Sequence, residues 1–132
     1  MNMENKQTSI LILDDEPIVG KRLKPSLEKK GYEVESFTRS KEALERIEER
    51  SFDIVVTDLK MEGMDGMQFL TLVKEKYPDT EVIVITGFAT MATARESYNK
   101  GVFDFLAKPF KLGEIVEVIG RAEAKRKKSR EA

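Results

Sequence analysis

The chain is a succession of short apolar runs, each followed by a stretch whose apolar residues recur at helical spacing. Ser9-Ile10-Leu11-Ile12-Leu13 is apolar throughout and stops at Asp14-Asp15-Glu16-Pro17, which predicts a strand buried on both faces. A helix is expected next. Pro17 suits its first turn, Ile18, Val19, Leu23 and Leu27 share a face, and Lys29-Lys30-Gly31 ends it, with a kink expected at Pro25. Tyr32 to Phe37 alternates Tyr32, Val34 and Ser36 against Glu33 and Glu35, which predicts a half-exposed edge strand. Ser40 is a candidate cap for a helix through Arg50 with Ala43, Leu44 and Ile47 inward.

The pattern then repeats. Phe52 to Thr57 predicts a third strand, Gly66 to Tyr77 a helix, Glu81 to Ile85 a fourth strand and Ala89 to Lys100 a helix ended by Gly101. Val102 to Leu106 predicts a fifth strand, and Lys111 onward a last helix using Leu112, Ile115, Val116 and Ile119. Strictly alternating strands and helices predict an α/β fold, a five-stranded parallel sheet with five helices covering both faces. Residues 1–8 are expected to be a flexible N-terminus and 9–122 the folded domain. Residues 123–132, basic and without an apolar face after Ala124, are expected to be a tail or linker.

Composition narrows the chemistry. The chain has no cysteine and no histidine, which excludes thiol catalysis, His-based triads and zinc sites of the usual ligands. A formal net charge of −1 argues against nucleic-acid binding by the domain itself. Met1 to Thr8 is polar and no apolar run approaches the ~20 residues of a membrane span, so neither a signal peptide nor a membrane segment is expected and the default location is cytoplasmic.

In a parallel sheet of this kind, ligands bind at the C-terminal strand ends. Strand one ends in Asp14-Asp15, strand three in Asp58, strand four in Thr86, and strand five leads to Lys108-Pro109. Asp14-Asp15-Glu16 alone could simply precede a helix, and Asp58 alone could cap the glycine-rich loop behind it. Gathered at one edge, the carboxylates repel unless a cation balances them, and hard oxygen ligands select Mg²⁺ together with a phosphorylated group. Lys108 and the Thr86 hydroxyl suit phosphoryl oxygens, and an aspartate can accept a phosphoryl group as an aspartyl-phosphate. Asp58 is the candidate nucleophile.

Asp14-Asp15, Asp58-Leu59-Lys60-Met61-Glu62-Gly63-Met64-Asp65-Gly66, Thr86-Gly87 and Phe105-Leu106-Ala107-Lys108-Pro109-Phe110, in that order, resemble the receiver domain of two-component response regulators. The resemblance implies a flavodoxin-like (βα)5 sheet of strand order 2-1-3-4-5. It also implies a signalling switch, not an enzyme acting on other substrates. Asp58 would accept a phosphoryl group from a sensor histidine kinase. Asp15, Asp58 and the backbone carbonyl of Lys60 would bind Mg²⁺ directly, and Asp14 through water. Thr86 and Lys108 would meet the phosphoryl group, Phe105 would turn inward as the switch aromatic, and Lys108-Pro109 would be cis. The fourth helix, fifth strand and fifth helix would carry the signal to an effector domain after residue 122, to a partner protein, or to a second copy in a homodimer. The sequence departs from the family pattern at Glu62, often proline, and at Phe105, often tyrosine, and its Lys60 and Gly87 flank the site.

The alternative is a Mg²⁺-dependent phosphatase working through an aspartyl-phosphate. Phosphatases of the haloacid dehalogenase type carry a second aspartate two residues after the nucleophile, where this chain has Lys60. A flavin module of similar topology is disfavoured because Asp14-Asp15-Glu16 would repel the flavin phosphate. The P-loop motif is absent.

Overall fold

The computed structural model describes residues 7–60 and 64–131. The expectations for residues 1–6 and for Glu62 fall outside these. The elements alternate as expected: β1 (Ser9–Leu13), α1 (Pro17–Lys29), β2 (Glu33–Phe37), α2 (Ser40–Glu49), β3 (Ile54–Thr57), α3 (Gly66–Lys76), β4 (Glu81–Thr86), α4 (Met91–Asn99), β5 (Asp104–Ala107) and α5 (Leu112–Glu131). The sheet is parallel throughout, in the order β2-β1-β3-β4-β5. The half-polar strand β2 is therefore at an edge, where a charged face can stay wet.

Strand residues alternate between two cores. Leu11, Leu13, Val55, Val82 and Val84 face Ala43 and Ile47 of α2 and Met67, Phe69, Leu70 and Val73 of α3. Ile10, Ile12, Ile54, Val56, Ile83 and Ile85 face Leu23 and Leu27 of α1 and Ile115, Val118, Ile119 and Ala122 of α5. Burial on both faces explains why β1, β3 and β4 read as unbroken apolar runs. Helix α4 buries only Ser97.

Helix α1 is one helix with Pro25 inside it, as the pattern predicts. Three details differ from expectation. The N-cap of α2 is Arg39 without a side-chain bond, and Ser40 is the first helical residue and is buried. Strand β5 lies two residues later at its start than the apolar run suggests. Val102 packs into the core, and pairing follows the Ile83–Asp104 register. Helix α5 continues to Glu131, through the segment expected to be a basic tail or linker. Polar contacts replace the missing apolar face: Glu123 accepts from Tyr32 Oη at 3.0 Å and Thr8 Oγ1 at 2.7 Å, and Arg126 pairs with Asp53 at 2.8 Å.

Two glycines explain tight points. Gly31 and Gly101, just past α1 and α4, have φ of +97° and +94°, a region that side chains disfavour. Gly66 is different. Its N–H donates to the Leu59 carbonyl at 2.8 Å, and an added Cβ would lie 2.0 Å from the Asp58 carbonyl oxygen. Only glycine lets α3 begin this close to the end of β3.

Candidate functional site

The reversal of strand order between β1 and β3 opens a crevice at their C-terminal ends. Asp14 and Asp58 follow these strands directly, and both are nearly buried, at 2% and 4% exposure. Their positions are fixed by the ladder, where the Asp58 N–H donates to the Leu13 carbonyl and the Asp14 N–H to the Phe37 carbonyl, both at 3.1 Å. Asp58 Oδ1 also accepts the N–H groups of Leu59 at 2.6 Å and Lys60 at 3.2 Å. Its Oδ2 is left to face the crevice.

Lys108, at the end of β5, reaches into this cluster. Its Nζ lies 2.9 Å from Asp58 Oδ2, 2.7 Å from Asp14 Oδ2 and 2.6 Å from Glu16 Oε1. Burial alone would lower its pKa, but hydrogen bonds and charges from these carboxylates outweigh that and hold it well above the ordinary lysine value. Lys108 is therefore a fixed cation. The Asp14 contact is a close ion pair, and Asp14 Oδ2 makes no hydrogen bond besides it. Burial pushes the Asp14 carboxyl above its usual range, against the pull of Lys108 and of the Glu16 N–H that it accepts at 2.9 Å. The Lys108-Pro109 peptide is cis, as the resemblance implied.

Carboxylate oxygens of Asp14, Glu16 and Asp58 lie within 4.8 Å of one another, a spacing that could hold a metal ion. Asp15 is exposed and outside this group, and Glu16 takes the third place, on Lys108. Sequence reading passed over Glu16. The only signal available was its membership of an acidic run, which cannot say which acid turns inward. Thr86, fully buried at the end of β4, accepts the Phe88 N–H through Oγ1 at 3.0 Å. Phe105 is half-buried against the α2–α3 core. The Lys60 side chain is exposed, with its Nζ 4.9 Å from the centre of the Phe88 ring. Phe88 is a second residue that sequence reading did not select.

Fold and crevice together define an α/β protein of the flavodoxin-like class, with an acidic pocket and a lysine at its topological switch point. Comparison with known proteins makes this specific. The family model described as the response regulator receiver domain matches residues 10–120, and the chain belongs to that family. It is a receiver domain of two-component response regulators, a phosphorylatable switch. The C4-dicarboxylate transport transcriptional regulatory protein DctD of Rhizobium meliloti is 34% identical over 119 residues, covering 90% of this chain and 26% of that protein. The chain thus spans about a quarter of the length of the curated relatives it matches. A CheY-like receiver domain from Methanospirillum hungatei superposes with a TM-score of 0.90 at 29% identity, covering 94% of this chain and 99% of that one. The beryllofluoride-activated NtrC4 receiver domain dimer superposes with a TM-score of 0.84 at 35% identity, covering 89% and 98%. Among the described residues no helix is long and apolar enough to cross a membrane.

Proposed function

We propose that Asp58 is the phosphoacceptor, with a sensor histidine kinase as donor. The observation that carries this is the convergence of Asp14, Glu16 and Asp58 on the Lys108 ammonium, which meets Asp58 at Oδ2 while backbone N–H groups hold its Oδ1. Asp58 Oδ2 attacks phosphorus, the bond from phosphorus to the donor nitrogen breaks, and the imidazole leaves with the electron pair. Lys108 lies where it can neutralise the phosphoryl oxygens as they arrive, and Thr86 supplies a hydroxyl once it lets go of the Phe88 N–H. Phe105, free of a hydroxyl, turns inward by packing alone.

Mg²⁺ fits the donor set, which is all hard oxygen and includes the buried Asp14 Oδ2, whose one charged contact is Lys108. When bound it neutralises charge on the phosphoryl group. Asp14, Asp58 and the Lys60 carbonyl are assigned to it. Asp15, exposed and without an ion pair among the described residues, is assigned as the third acid, as the family resemblance implies.

The chain acts on itself and not on other substrates, in the cytoplasm, and its output runs through α4, β5 and α5. The dimer of the beryllofluoride-activated NtrC4 receiver supports a homodimer, which we assign to that face, and the length of the curated relatives supports an effector domain beyond this chain.

Intact mass after incubation with Mg²⁺ and a small acyl phosphate or phosphoramidate tests the assignment. One transient phosphoryl adduct is expected, absent in Asp58→Asn. Sustained turnover of varied phosphate esters would favour the phosphatase reading, and no Mg²⁺-dependent adduct would remove both.

A further inference from the structure

We propose that Lys60 and Phe88 form a latch that keeps Thr86 turned away from Asp58 until a phosphoryl group arrives, an inference that rests on Asp58 being the phosphoacceptor. The two residues belong to different loops, Lys60 after β3 and Phe88 after β4. Phe88 is 55% exposed, so burial does not fix its ring, yet Lys60 Nζ lies over it at 4.9 Å. This is cation–π distance.

The backbone of Phe88 connects this contact to the switch. Its N–H donates to Thr86 Oγ1 at 3.0 Å, so the hydroxyl needed at the phosphoryl group is engaged by the loop. Its carbonyl accepts from Thr93 Oγ1 at 3.1 Å, and Thr93 also closes the capping box that starts α4 with Thr90. One residue thus joins Lys60, Thr86 and the first turn of α4.

A phosphoryl group on Asp58 adds about two negative charges beside a residue whose own N–H already donates to Asp58 Oδ1 at 3.2 Å. An exposed cation–π contact is weak, whereas an ammonium–phosphate hydrogen bond is charge-assisted. The ammonium leaves the ring for the phosphoryl oxygens, and the Phe88 loop loses its cross-loop anchor. Thr86 Oγ1, no longer held as acceptor of the Phe88 N–H, then turns to donate its O–H to a phosphoryl oxygen, and the α4 cap loosens. The ammonium cannot sit on the ring and on the phosphoryl oxygens at once, so the two arrangements exclude one another, as a two-state element requires.

The test is beryllofluoride, a phosphoryl mimic, titrated with Mg²⁺ into the full chain. Phe88→Leu removes the ring face from an exposed position and is expected to bind about two- to fivefold tighter, because the off state loses its latch. Phe88→Tyr keeps the face and should match the wild type. Lys60→Met should change affinity by a different factor in the Phe88→Leu background than in the wild type, since the two residues act as a pair. In the free protein, Lys60 side-chain protons should show an upfield ring-current shift that Phe88→Leu abolishes. Equal affinity for wild type and Phe88→Leu, additive effects, or no ring-current shift would overturn the latch. A wild type that fails to bind, or binding that survives Asp58→Asn, would overturn the phosphoacceptor assignment and the latch with it.

Discussion

Asp14 is a buried acid that the fold accommodates at a cost. Burial raises its pKa, and the folded protein therefore holds its proton more tightly than the unfolded chain does. The sign follows directly: folding is favoured at pH below the carboxylate range and opposed as pH rises through and above the ordinary value of 3.8. Asp14→Asn removes this penalty and still accepts the Glu16 N–H, and Lys108 keeps Asp58 and Glu16 as partners. The variant should resist urea better than the wild type near neutral pH, with the difference vanishing toward acid. A difference independent of pH would mean that Asp14 does not bear the cost. Asp14, Asp58, Thr86 and Lys108 could be named from sequence because each sits at or beside a strand end whose register the sheet fixes. Asp15 and Glu16 could not be ranked, since adjacent loop residues point in directions that only backbone torsions decide.

At the level of elements, the loop between β3 and α3 depends on Gly66. A Cβ there meets backbone atoms of Asp58 and Leu59, neither of which can move without shifting the acidic cluster. Gly66→Ala should cost about 1–3 kcal/mol by overpacking and lower phosphorylation of Asp58 as well. Gly87→Ala, with nothing within 4 Å of the added atom, is the control and should leave thermal stability nearly unchanged. If both variants unfold alike, close approach is not what selects Gly66. Strand identities were legible because a doubly covered strand must be apolar on both faces. Boundaries were less so: an apolar run does not say which residues pair, and β5 starts at Asp104 although Val102 is as buried as a strand residue.

Across the whole molecule, the end of α5 ties the base of the sheet together. Glu123 reaches Tyr32 and Thr8, Lys125 reaches Glu81 at 3.2 Å, and Arg126 reaches Asp53 and the Asp79 carbonyl. Tyr32 registers the contact: burial, and then Glu123, push its pKa up to about 12. Removing residues 123–132 should therefore lower stability by about 1–3 kcal/mol, seen as an earlier midpoint in urea unfolding. An unchanged midpoint would make the segment the free tail that its composition suggests.

The amino-acid sequence by itself determined the alternation of strands and helices, the apolar strands of a parallel sheet and the placement of Asp14, Asp58, Thr86 and Lys108 at its C-terminal edge. Periodicity and strand ends are local properties, and a linear pattern carries them. Tertiary structure decided which acid of Asp15 and Glu16 meets Lys108, the contact of Lys60 with Phe88, and the folding of a polar helix end onto the sheet. Each of these depends on groups far apart in the chain or on the torsions of a loop, and neither leaves a period to read.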